Sequence, residues 1–301
     1  MPECTLLLKS LLFSCCRISN SFKTWSLAVS PVFNLILPFL ALAHPPFVSL
    51  PRHYAQFHSR LRTTMLLNLS TGQRINFFKR MSLVTAFGFD IDGTLIDSNE
   101  LHVQSWDRAF RHFGKTFPPE ELHAQIGKGS DQYLPEFLTK EEIERFGKQL
   151  DEYRSKVFRE EFLPKVKPFP KVRELFERIR DDQKRILLAS SGKQKDTDHY
   201  IDLLKIDKFI EGCTSGDEAG RSKPAPDIFT ACIDKFHLER KETLVVGDTR
   251  WDVESAGRAG LRTIGVTCGG TDASLLRAAG AIAVYIDPAD LLAHYDELSN
   301  L

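Results

Sequence analysis

Acid is almost missing from the first eighty residues, where Glu3 stands alone against nine lysines and arginines. An unbroken apolar run is missing as well: the stretch 27–43 is interrupted by Pro31, Asn34 and Pro38, which makes a poor membrane-spanning helix. Cysteine is sparse. Cys4, Cys15, Cys16, Cys213, Cys232 and Cys268 show no metal-ligand spacing, which excludes a zinc module and suits a reducing compartment. The formal net charge is zero, but this hides an asymmetry, because residues 81–301 hold 31 basic and 39 acidic residues. That acidic body lacks the positive surface that binding to a phosphate backbone requires, so no nucleic acid is expected as partner. Internal repeats and low-complexity tracts are also absent.

What is present falls into two parts. Residues 1–80 read as an N-terminal extension, either a disordered segment, a targeting segment or the product of a misassigned start. Their Ser- and Arg-rich, acid-poor composition matches an organelle-targeting leader. Met81, directly before an apolar strand, favours instead a start assigned too far upstream. A cytoplasmic catalytic core is expected, with no membrane partner, and the oligomeric state is left open.

From residue 84 short apolar runs alternate with helix-length amphipathic segments, the pattern of parallel strands joined by crossover helices. Strands are expected at 84–89, 185–189, 209–214, 243–246, 262–266 and 281–285. Far more chain separates the first two than one crossover needs, and it reads as helices at 101–113, 120–126 and 140–162. The expectation is an α/β fold: a Rossmann-like parallel sheet core (81–98 and 168–301) with an inserted α-helical cap (99–167). Pro164, Pro168 and Pro170 mark the cap's closing border.

Four pieces each place chemistry just after an expected strand, where open α/β sheets hold their ligands. In Asp90-Ile91-Asp92-Gly93-Thr94, Asp90 can attack phosphorus while Asp92 protonates the leaving oxygen and later deprotonates water. Alone, this is equally an Asp-Gly turn. Ser190, followed by Ser191-Gly192-Lys193, can hold phosphate oxygens at a helix mouth or simply cap that helix. Lys223, stiffened by Pro224 and Pro226, can neutralise phosphate and nucleophile together. Asp248 and Asp252 lie one helical turn apart and can face one hard cation such as magnesium.

In this order the pieces resemble the four motifs of the haloacid dehalogenase-like hydrolase superfamily. Helices between the first and second motifs resemble its phosphoglycolate phosphatase and beta-phosphoglucomutase branch. The resemblance implies Mg2+ held by Asp90, the Asp92 carbonyl and Asp248, with Asp252 as ligand or close support. It also implies phosphate held by Thr94, Ser190 and Ser191, and Lys223 as charge balance. Asp92 distinguishes the chain from the dehalogenases, which lack it. Where the family opens the helix after the cap with Pro-Gly, this chain has Pro170-Lys171. Substrate choice is expected in the cap loop 125–131, through Gly127 and Lys128, with His102 a further candidate. In the mutases a comparable loop supplies an Arg near the place of Asp131, which disfavours a mutase.

The expected function is hydrolysis of a small phosphate ester, phosphoglycolate-like or a sugar phosphate, through an aspartyl-phosphate. The alternatives are a beta-phosphoglucomutase-like mutase and a non-catalytic binding protein on the same fold.

Overall fold

The structure, a computed structural model, describes residues 84–300, with side chains to 298. The readings made for residues 1–80 lie outside the described residues.

Six strands form one parallel sheet: β1 (Ala86–Phe89), β4 (Arg185–Ala189), β5 (Gly212–Thr214), β6 (Thr243–Gly247), β7 (Arg262–Val266) and β8 (Ala283–Tyr285). Their spatial order is β5-β4-β1-β6-β7-β8, so the chain winds outward from β1 in both directions. Side chains alternate across the sheet. Phe87, Phe89, Ile186, Leu188, Leu244 and Val246 enter one buried cluster, and Ala86, Leu187, Ala189 and Val245 enter another on the opposite face. A sheet covered on both faces needs apolar residues at successive positions, which is why these strands read as short continuous runs.

The helices α5 (Val172–Asp181) and α7 (Asp227–Phe236) cover opposite faces. Val172, Leu175, Phe176 and Ile179 give α5 one buried stripe. Lys171, where the resemblance calls for glycine, begins this helix with φ 65°, in the left-handed region.

Two strand starts differ from expectation. β5 begins at Gly212 because Phe209 and Ile210 donate back to the Ile206 carbonyl in a turn, at 2.8 and 3.3 Å. β8 begins at Ala283 because Ala281 N–H closes the preceding helix on Leu276 O at 3.0 Å.

The insertion contains α1 (Asn99–His112), α2 (Pro119–Ala124), α3 (Ser130–Tyr133) and α4 (Lys148–Val157), with π-turns at Ile143–Gly147 and Phe158–Phe162 flanking α4. The expected single helix over 140–162 is therefore an unbroken succession of helical segments, widened twice into π-turns. A separate core of Trp106, Phe110, Leu122, Tyr133 and Leu150 holds these helices together. Within it Trp106 stacks on Tyr133 at 4.3 Å, and Tyr133 donates to the Leu122 carbonyl at 3.0 Å. The chain enters and leaves the insertion through a two-residue antiparallel pair, β2 (Ile96–Asp97) with β3 (Lys167–Pro168), too short to show any periodicity in sequence. Among the described residues no helix is long and apolar enough to cross a membrane.

Candidate active site

β1 and β6 are neighbours at the point where the winding reverses, and each is followed at once by an aspartate. Asp90 N–H bonds to the Val246 carbonyl at 2.9 Å, so the sheet's own ladder delivers the Asp90 carboxylate to the crevice. The chain must then turn sharply. Gly93 does so with φ 75°, and a Cβ there would lie 2.2 Å from Asp248 Oδ2, so only glycine fits.

Behind Asp90 lies a closed network of charge. Lys223 Nζ contacts Asp90 Oδ1 and lies 2.6 Å from Asp252 Oδ1. Asp252 Oδ2 accepts from Thr249 N–H at 3.0 Å and Thr249 Oγ1 at 2.5 Å, capping α8 (Arg250–Arg258). Asp248 accepts from Asn99 Nδ2 at 2.7 Å and Thr94 Oγ1 at 3.2 Å, and Thr94 also reaches Asp90 Oδ2 at 3.5 Å.

Asp90, Asp248 and Asp252 are all buried, and each offers an oxygen within 4.8 Å of the others. One ammonium does not balance three buried carboxylates. Burial, with Asp252 adding to it against the pull of Lys223, pushes the Asp90 carboxyl up to about 7. Burial, then Asp252 and Asp90, pushes Asp248 well above the carboxylate range. Burial alone would lower Lys223, but Asp252 and Asp90 hold its ammonium above the usual lysine value. A hard divalent cation between Asp90 and Asp248 would supply the missing charge, and oxygen donors are what magnesium prefers. Of the Asp252 oxygens, Oδ2 is taken by Thr249, while Oδ1 lies 2.6 Å from Lys223 Nζ.

Asp92 occupies a different setting. Its Oδ1 accepts from Ser98 Oγ at 2.7 Å and contacts His102 Nε2 at 2.9 Å. Burial would raise Asp92, yet these two partners hold it below the ordinary carboxylate value. His102 Nδ1 meets Arg154 Nη2 at 2.6 Å, so Nδ1 accepts and Nε2 carries the proton toward Asp92. His102 itself is pushed down, chiefly by burial.

Asp90 and Asp92 open into a cavity of about 120 Å3 between the sheet end and the insertion. His102, Gly127, Lys128 and Ser191, expected from the sequence, line it too. Thr94, Lys223, Asp248 and Asp252 stand behind Asp90. Ser190 Oγ accepts from Gly192 N–H at 3.0 Å in a turn before the helix, whose N-cap is Lys193, so Ser190 is not the helix cap that its position also suggested. Lys128 Nζ bonds to Glu136 and Gln125, each at 2.7 Å, and sits 4.0 Å over the Trp251 ring.

The loop 125–131 and the end of α2 before it touch three motif segments of the core. Asp131 accepts from Ser222 N–H at 3.1 Å and from Ser222 Oγ, beside Lys223. Ser191 Oγ reaches Gly127 O at 3.4 Å, and Trp251 Nε1 donates to Ala124 O at 3.3 Å. A Cβ at Gly129 would lie 2.1 Å from Ser222 Oγ, so this approach needs glycine. Sequence reasoning missed Asn99 and Arg154. Each sits one helical residue among many, and only the fold brings Asn99 to Asp248, 149 positions away.

Known proteins are similar to this chain in sequence and fold. A sequence model of the family described as haloacid dehalogenase-like hydrolase matches residues 88–266. A phosphorylated carbohydrates phosphatase of Thermotoga maritima is 29% identical over 210 residues, covering 68% of this chain and 94% of that one. A phosphoglycolate phosphatase of Aquifex aeolicus is 26% identical over 58% of this chain and 81% of its own. The crystal structure of a hydrolase from Pseudomonas syringae superposes with a TM-score of 0.64 at 30% identity, covering 71% of this chain and 98% of that one.

Proposed function

The chain belongs to the haloacid dehalogenase-like hydrolase family, and from that premise we propose that it is a magnesium-dependent phosphatase of small phosphorylated metabolites that works through an aspartyl-phosphate on Asp90. The observation that carries this reading is the Lys223 ammonium held between Asp90 and Asp252, with Asp248 alongside, at the sheet's reversal point. The Thermotoga relative is named a phosphorylated carbohydrates phosphatase and the Aquifex relative a phosphoglycolate phosphatase, which supports the substrate class.

Asp90 and Asp248, with the Asp92 backbone carbonyl, would hold Mg2+, and Asp252 would keep Lys223 in place. The metal, when bound, supplies positive charge to the phosphoryl oxygens and the nucleophile. An Asp90 oxygen attacks phosphorus as the ester P–O bond breaks, and Asp92, a carboxylate in the free site, takes up a proton from solvent as the anionic ester binds beside it and passes that proton to the leaving alcohol. Asp92, now a carboxylate held by Ser98 and His102, takes a proton from water. That water attacks the phosphorus of the aspartyl-phosphate, releasing phosphate and restoring Asp90. Lys223, Thr94, Ser190 and Ser191 stabilise the transferring group. Residues 81–98 and 168–301 act as the core of this reaction, and 99–167 as a cap that excludes water.

A mutase finds no support in the loop 125–131, whose Lys128 is neutralised by Glu136 and whose Asp131 turns to Ser222. The test is release of inorganic phosphate from a panel of small esters, with and without a chelator. We expect net phosphate release that the chelator abolishes and Mg2+ restores. Isomerised sugar phosphate without net release, or chelator-resistant hydrolysis, would contradict the reading.

A further inference from the structure

Asn99 opens α1, the first helix of the insertion, yet its side chain belongs to the core's carboxylate cluster. It is buried to 4% exposure beside an Asp248 that has none. Its Nδ2 donates to Asp248 Oδ2 at 2.7 Å and to the Gly269 carbonyl at 2.8 Å. Two acceptors around one nitrogen decide which way the amide points, because the flipped amide would set its oxygen against both of them. Oδ1 bears the cost, enclosed with no partner. The hydrogen bonding of this buried side chain therefore lies wholly in what its nitrogen holds.

The two oxygens of Asp248 face different ways. Gly93 and Gly269 close on Oδ2: a Cβ at either would collide with it and with Asn99 Nδ2. Cys268 Sγ donates to the Gly93 carbonyl at 3.2 Å, which ties these two glycine segments together. Oδ1 is turned toward Asp90, since one hydroxyl, Thr94 Oγ1, reaches Asp248 Oδ1 at 3.2 Å and Asp90 Oδ2 at 3.5 Å. A cation that demands near-octahedral oxygen geometry binds more weakly when a ligand must first be ordered.

We infer that Asn99 is a positioning residue for the cation: by clamping Asp248 Oδ2 it holds Oδ1 ready toward Asp90, so that the first residue of the insertion sets the affinity of the core for Mg2+. This rests on the proposed reading of Asp90 and Asp248 as ligands of Mg2+.

Titration calorimetry of the full chain with MgCl2, with no ester present, tests it. Asn99→Leu keeps the shape of the side chain and removes the donor, and Asn99→Ala removes both. We expect the Kd for Mg2+ to rise about ten- to hundredfold in either variant, the usual effect of losing a side chain that orients a metal's ligand. At limiting Mg2+, ester hydrolysis should fall with the bound fraction and recover as Mg2+ is raised. A residue that only supported the fold would lower the melting temperature and leave the Kd, measured well below it, unchanged. That result would overturn the inference, as would a loss of activity that added Mg2+ does not relieve. Should neither variant fold, the parent still decides. Its Asn99 side-chain amide protons, followed by NMR, should shift as Mg2+ is added, because their acceptor becomes a ligand, and should stay slow to exchange. Resonances indifferent to saturating Mg2+, or lost to fast exchange, would contradict the clamp. A parent that binds no Mg2+ overturns the reading of the site and this inference with it. Equal binding by parent and variants overturns the inference alone.

Discussion

A lysine ammonium with 1% exposure keeps its charge here only because two carboxylates hold it. The same logic explains which site residues could be read from sequence. Asp90, Asp92 and Asp248 each follow an apolar residue run, and Lys223 leads into a proline-stiffened turn, so their positions announce themselves. Asn99 and Arg154 lie inside amphipathic helices, where an amide or a guanidinium looks like ordinary solvated surface, and only the tertiary fold turns them inward. Lys171 is a different case, legible as a departure from the family's Pro-Gly and found in the left-handed region at φ 65°. A non-glycine residue there costs about 1–2 kcal/mol, partly offset by the entropy that glycine loses on folding. Its exposed pairing with Glu174 returns little. Lys171→Gly should therefore raise stability by roughly 0.5–1 kcal/mol in chemical denaturation, and a destabilised variant would contradict the strain.

Between elements, the decisive contact is the one the loop 125–131 makes with the segment carrying Lys223. Asp131 holds Ser222 by its backbone N–H and its hydroxyl, so the insertion fastens the very turn that aims the lysine. Asp131→Ala should lower kcat/KM for metabolite esters by roughly tenfold, about the worth of one hydrogen bond to a charged group. The melting temperature should change little, since the loop is partly exposed. An unchanged kcat/KM would show that the contact does not serve catalysis. This loop was legible as a candidate from its glycines, but its partner was not, because nothing in a local pattern pairs residue 131 with residue 222. For the same reason the strands of the sheet could be drawn from their apolar runs, while the β2–β3 pair at the mouth of the insertion could not.

At the scale of the whole molecule, the winding order of the sheet gathers four distant motifs at one edge and buries an excess of negative charge there. A folded state that carries such an excess is stabilised by whatever cation neutralises it, because binding to the folded state alone adds to stability. Mg2+ at a hundred times its Kd should add about 2.7 kcal/mol to unfolding stability, seen as a rise in melting temperature. Asp248→Asn should lose that rise, and a parent protein indifferent to Mg2+ would remove the cation from the account. The central claim is narrower: Asp90 itself carries the phosphoryl group during turnover. Rapid acid quench during hydrolysis of a good ester, followed by peptide mass spectrometry, tests it most directly. The account predicts a hydroxylamine-sensitive phosphoryl group on Asp90, and none in an Asp90→Asn variant that is folded but inactive. Undiminished magnesium-dependent turnover by Asp90→Asn, or a phosphoryl group found on another residue, would contradict it.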